Sequence, residues 1–328
     1  MTDIHHLPMG LMWNMPIPVA CSLATASRGL AASCGQCPLD SEGRVLAPGD
    51  AAAQAGLVAG MMQGVLKHLP VTHHAAALVV YTDAPDTATV LVPLAAAFPN
   101  AELVPVRLPH FYYPGMTIEV DLYATSVAPR RLVQADGPAR LARVAGGPLE
   151  FVRLAAPDMN SALRLLQGVD AERLLSAQWF AAEPPPASLT PAPDSRVVVP
   201  SGAGVAALLT LAPGPVRAET TPGGAILRRS GAFAWLAAEG TSADLARAAH
   251  QAMDALALSG IPCLSPLKAT THYVGGPNPE DLHANLAVRH ARFPMPGPAS
   301  TGVAVAGLAA ATLAIDMLAV IDSPAVSA

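Results

Sequence analysis

Charged side chains are scarce: 19 Lys and Arg and 24 Asp and Glu make up 13% of the 328 residues, for a net charge of -5. No basic stripe can be built from that supply to neutralise a phosphate backbone, so nucleic acid is excluded as an expected partner. Cysteine is rarer still, and four thiols (Cys21, Cys34, Cys37 and Cys263) are too few for a disulfide framework in so long a chain. Aromatic residues contribute only 4%, so any cluster of them stands out. The N-terminus, MTDIHHLPMGLMW, has neither a basic segment nor a long apolar run ending in a cleavage site, which points to the cytoplasm.

What is abundant is apolar surface. Hydrophobic residues are 52% of the chain, enough for one large domain or two ordinary ones. Residues Thr301 to Ile321 are long and apolar enough to suggest a membrane span. Asp316, two glycines and the alternation in Gly302-Val303-Ala304-Val305 assign them instead to two buried strands joined near Leu308 to Ala311, with no membrane expected.

Along the chain, Asp50 predicts a helix N-cap, followed by one apolar stripe through Leu57, Val58, Met61, Met62, Val65, Leu66 and Leu69. A strand over Ala76 to Tyr81 and a helix over Asp86 to Phe98, disturbed by Pro93, come next. In Thr117 to Tyr123, Ile118, Val120 and Leu122 point to one face and Glu119, Asp121 and Tyr123 to the other. The last third repeats the order: a hairpin around Ser230-Gly231, a helix capped by Ser242, a strand over Leu267 to Val274, a helix opened by Asn278-Pro279, and two closing strands. A ββ-α-β-α-ββ order occurring twice gives an α+β fold, with domains at 1–127 and 221–328. Residues 128–220 read as a connecting region of uncertain fold, one that completes the second sheet or stands in for part of a third copy, with a helix at Asp158 to Gln167, a strand at Arg196 to Val199 and a Pro-rich stretch at Glu183 to Asp194.

The run Cys34-Gly35-Gln36-Cys37-Pro38-Leu39-Asp40, with Gly43, Gly49-Asp50 and Gln54, resembles the reactive intermediate deaminase (Rid, or YjgF) family, as does Arg107-Leu108-Pro109 followed by Ile118-Glu119-Val120-Asp121. Ser230-Gly231, Tyr273 and Pro298 to Val303 occupy corresponding places in the second copy. The resemblance implies two Rid or chorismate-mutase-like units, each a mostly antiparallel sheet with two helices on one face, in a trimeric or pseudo-trimeric arrangement with clefts between copies, reached here by a homo-oligomer. It also implies a closing-strand acid for proton transfer and an arginine clamp for a substrate carboxylate. The acid is present as Glu119, with Asp316 near the corresponding strand position of the second copy. The clamp is not: Asn100-Ala101 follows Phe98-Pro99, and Ser300 stands in the arginine position of copy two.

The candidate catalytic residues are therefore Glu119 and Asp316. Arg107, Tyr112 and Tyr113 from an aromatic insertion, His272 and Tyr273 at a strand end, and Ser300 and Thr301 are the candidates for binding a small molecule. No cofactor and no metal are expected, since Cys34-x-x-Cys37 lacks a second pair and the histidines fit no chelating motif. The first reading is a hydrolase or deaminase acting on an imine, enamine or related activated compound. The alternatives are a chorismatase-like enzyme on an enolpyruvyl compound, a family that also resembles two joined Rid-type units, and a non-catalytic binding or assembly protein.

Overall fold

The computed structural model describes residues 4–182, 196–198, 204–257, 264–293 and 295–321. The first third of the chain forms β1 (His5–Pro8), β2 (Ser22–Ser27), β3 (Leu30–Ser33), α1 (Ala51–His68), β4 (His74–Thr82), α2 (Ala88–Ala97), β5 (Glu102–Arg107) and β6 (Ile118–Thr125). Asp50 caps α1, its Oδ1 accepting from the Ala53 amide at 3.0 Å. The buried stripe is Gln54, Ala55, Val58, Ala59, Met62 and Val65, one residue round from the expected one, and Leu57 is exposed. Helix α2 runs through Pro93 because the proline sits only a turn inside it and costs one hydrogen bond.

The middle of the chain is not a mere connector. It builds β7 (Arg130–Asp136), β8 (Ala139–Ala145), β9 (Glu150–Ala156), α3 (Met159–Leu166), β10 (Leu174–Ala181), β11 (Arg196–Val198) and β12 (Val205–Leu211). The Pro-rich stretch and Val199 lie outside the described residues. The last third forms β13 (Arg217–Thr220), β14 (Ile226–Ser230), β15 (Phe233–Gly240), α4 (Leu245–Ala257), β16 (Leu264–Tyr273), α5 (Pro279–Arg292), β17 (Ala299–Ala304), β18 (Gly307–Leu308) and β19 (Leu313–Ile321). Asp244, rather than Ser242, accepts from the first turn of α4, through the Arg247 amide at 2.9 Å. Asn278 caps α5 as expected, with Pro279 in its first turn.

One strand order recurs three times. In the first stretch it is β5-β4-β6-β3-β2-β1, in the second β11-β10-β12-β9-β8-β7, and in the third β17-β16-β19-β15-β14-β13. Each begins with a parallel pair and continues antiparallel. A single parallel bridge, Ala299 to Ser22, joins the first and third into one twelve-stranded sheet, while β18 pairs with β11 at the edge of the seven-stranded one.

The inner strands β10 and β12 of the middle sheet are buried on both faces. Trp179 and Leu209 pack in a core with α3, while Phe180 and Leu208, one residue along each strand, join the main core. There Tyr81, Phe180 and His272, from β4, β10 and β16, close a triangle of rings with centroids 6.0 to 6.5 Å apart. Their parallel-strand partners are Val106, Val197 and Val303. The three stretches thus face one another about a pseudo-threefold axis through these rings.

Candidate functional site

Following the ladder outward from the ring triangle locates the acid. Tyr81 pairs across β4 and β6 with Glu119, Phe180 with Ala206, and His272 with Ala314. Three equivalent positions therefore carry one carboxylate and two alanines. Asp316 is equivalent to Asp121, not to Glu119: Leu30 pairs with Thr125 and Phe233 with Val320 at matching hairpins, and four residues back along each closing strand lie Asp121 and Asp316.

Glu119 lies at the junction of the first and third stretches, in a cavity of about 30 Å³. Its walls include Gly35, Cys37 and Tyr112 from one side and Leu286, His290 and Ser300 from the other. The Tyr112 hydroxyl donates to Glu119 Oε2 at 2.8 Å. That leaves the Cys37 thiol, kept protonated by burial, to donate to the Tyr112 oxygen at 3.4 Å. Burial pushes the Glu119 carboxyl up to about 8, Tyr112 pulls it down, and the nearby Asp121 charge raises it again. Gly35 is required by this close approach, since a Cβ there would sit 1.7 Å from Glu119 Oε1.

A guanidinium also serves this junction, from an element other than the expected one. Arg289 of α5 is fully buried and donates through Nη1 to Ser300 Oγ at 2.9 Å and through Nη2 to Asn285 Oδ1 at 3.0 Å. Among the described residues it has no ion-pair partner, and burial lowers it to about 10, which leaves it charged at neutral pH. Gly302 makes room for it: a Cβ there would meet Arg289 Nη2 at 2.8 Å. Beside it, His290 accepts from the Ala20 amide through Nδ1 at 3.2 Å, which puts the ring proton on Nε2. Burial holds His290 down to about 3, and among the described residues Nε2 has no hydrogen-bond partner.

The other candidates go elsewhere. Arg107 lines a different cleft, with Phe180 and Ala206. Thr301 hydrogen-bonds the buried ion pair of Lys268 and Asp121, whose Nζ to Oδ1 distance is 2.7 Å. Tyr113 meets His283 Nε2 at 3.0 Å, off the cavity wall. His272 belongs to the ring triangle, driven down to about 3 by burial, and Tyr273 is buried beside it with its phenol pushed up. Cys34 and Cys37 are buried thiols raised by desolvation, and among the described residues no three His, Cys, Asp or Glu are placed to hold a metal ion. No described helix is long and apolar enough to cross a membrane.

Sequence reasoning passed over Arg289 and Lys268. The Asn285 and Arg289 spacing on α5, four residues apart, was the available signal for the first.

The fold is similar to those of solved chorismatase and Rid-type structures. A chorismatase crystal structure superposes with a TM-score of 0.50 at 12% identity, covering 76% of this chain and 93% of that one. Single-unit structures match a smaller share: yeast Mmf1 has a TM-score of 0.33 at 14% identity over 38% of this chain and 98% of its own, and RidA from an Antarctic Psychrobacter species has 0.32 at 14% over 37% and 98%. No family profile matches the sequence, and no curated protein matches it.

Proposed function

We propose that the chain is a small-molecule hydrolase of Rid or chorismatase type, made of three copies of one unit divided near residues 127 and 220, with its site at Glu119. The observation that carries this is a carboxyl that keeps its proton to about pH 8 while lining a space large enough for roughly two waters. A protonated Glu119 serves first as general acid, delivering its proton to an imine nitrogen or to the carbon end of an enamine or enol ether. The carboxylate left behind then takes a proton from the water that adds to the electrophilic carbon, passes it to the departing amine or alcohol oxygen as the C–N or C–O bond of the adduct breaks, and recovers a proton from the adduct's hydroxyl as the carbonyl forms. Arg289 places a positive charge at the junction for an anionic group on the substrate, and the His290 Nε2–H supplies a neutral donor.

The small cavity supports a second reading, ligand binding without turnover, because Met9, Trp13 and Met15 line it from the N-terminal segment. Incubating the full chain with 2-imino acids generated in situ, and separately with an enolpyruvyl ether, distinguishes the two by release of ammonia or pyruvate. Glu119→Gln is expected to lower kcat by about 100-fold or more with KM little changed. Binding of these compounds with no release by the unaltered chain would instead establish the binding protein.

A further inference from the structure

The recurring strand order ends each stretch on an equivalent outer strand, β1, β7 or β13, and one of these edges differs in kind. β1 and β13 have four residues each, the first closing on Pro8 and the second reading Arg-Ala-Glu-Thr, and neither exposes a large apolar side chain. β7 has seven residues, all exposed, with Leu132 at 65% and Val133 at 53% at its middle and no proline. Folded proteins ordinarily shorten or cover an edge of that length and apolarity.

The two-residue turn Gly137-Pro138 fixes which backbone groups of β7 are open. Asp136 pairs with Ala139 across it, and a turn of this length directs the Asp136 carbonyl at the Ala139 amide. The ladder has no bulge, so by its period of two Arg130, Leu132 and Gln134 also turn their backbone groups toward β8. The N–H and C=O groups of Arg131, Val133 and Ala135 point the other way, along the open edge.

The side chains make this edge complementary to itself. About a twofold axis normal to the sheet, the antiparallel register that pairs all seven residues sets Val133 against its own copy, Arg131 against the partner's Ala135, and Arg130 against the partner's Asp136. An opposite-charge pair then closes each end of the ladder. Both groups are available: Arg130 makes no hydrogen bond or ion pair with any described residue, and among those residues Asp136 engages only Oδ2, which accepts from Arg164 Nε at 2.9 Å. Arg131, on the opposite face, is already neutralised by Glu102.

We propose that the chain forms a twofold homodimer in which β7 pairs with the β7 of a second copy, joining two seven-stranded sheets edge to edge. Each edge is used once, so association stops at two. A ladder this short buries less than a standard interface, which sets a reversible dimer with a Kd of micromolar order. The pairing is independent of the reading of Glu119.

Sedimentation velocity of the full-length chain over a micromolar concentration series should show a monomer–dimer equilibrium that weakens with added salt. Val133→Pro deletes an outward N–H and leaves the β8 ladder whole, so it should abolish the dimer in a chain with unchanged circular dichroism. Arg130→Asp and Asp136→Arg should each weaken the dimer by about tenfold or more, since each sets like charges opposite one another at both ends. An equal mixture of those two variants should regain the lost affinity, because every mixed pair again brings opposite charges together. A chain monomeric throughout, a trimer, a dimer unaffected by Val133→Pro, or a mixture no tighter than either variant alone would overturn the proposal.

Discussion

At the scale of single residues, the chemistry depends on how burial and one hydrogen bond divide the control of Glu119. Desolvation raises its carboxyl and Tyr112 lowers it, so Tyr112→Phe removes the lowering contribution. If Glu119 works as an acid, activity falls as pH rises through its pKa, and in Tyr112→Phe that fall moves to higher pH. A pH–rate profile of the two proteins checks it. The same shift affects stability. The folded carboxyl holds its proton between the unfolded value of 4.5 and about 8, so the contribution to stability is full below 4.5 and is lost as pH climbs through that window. Glu119→Gln removes this dependence, and its stability relative to the unaltered protein should rise from pH 5 to pH 9 by up to about 4 kcal/mol. Urea midpoints at the two pH values measure it. The direction of Glu119 was legible from sequence because strand alternation is a local rule. Arg289 was not, because its place beside Ser300 depends on how α5 packs on β17, and Asp316 was misplaced by two residues because strand register depends on hairpins and bulges rather than on motif order.

At the scale of elements, the segment between β1 and β2 forms a wall of the Glu119 cavity. Met9, Trp13, Met15 and Val19 line the Glu119 cavity, and Trp13 is anchored by its Nε1–H to Gln36 Oε1 at 3.2 Å. Among the described residues, that hydrogen bond and apolar contact hold the indole in place, so Trp13→Ala should enlarge the cavity and quicken ligand association while lowering stability by roughly 3–5 kcal/mol. Stopped-flow binding of a 2-imino acid analogue, set beside thermal unfolding, tests both parts; unchanged association in a folded variant would remove the segment from the access route. Caps at Asp50 and Asn278 were readable because the side chain and the amides it bonds lie within four residues. The strand β1 was not, since its four residues show no alternating pattern and it exists only by pairing with β2.

At the scale of the molecule, the first and third stretches are held in register by a charge pair away from solvent. Lys268 Nζ, 1% exposed, donates to Asp121 Oδ1 at 2.7 Å and to the Ser33 carbonyl at 2.8 Å. Removing one member strands the other charge. Lys268→Met is therefore expected to cost roughly 3–5 kcal/mol, and Asp121→Asn in the same chain should restore much of it. Denaturant midpoints of the single and double variants decide the matter, and a double variant no better than the single would mean the pair does not act as a unit. The sequence left open whether residues 128–220 complete the second sheet or stand in for part of a third copy, because strand order is set by pairing between distant segments rather than by any local pattern.

The inequality of the three junctions has a genetic consequence. In an assembly of identical chains, every codon change is felt at all junctions together, so a substitution that adapts one site alters each of the others. Here Glu119, Ala206 and Ala314 are separate codons. Each junction can gain or lose a role without disturbing its counterparts, and a screen of single substitutions should reveal three independent sets of tolerated residues instead of one.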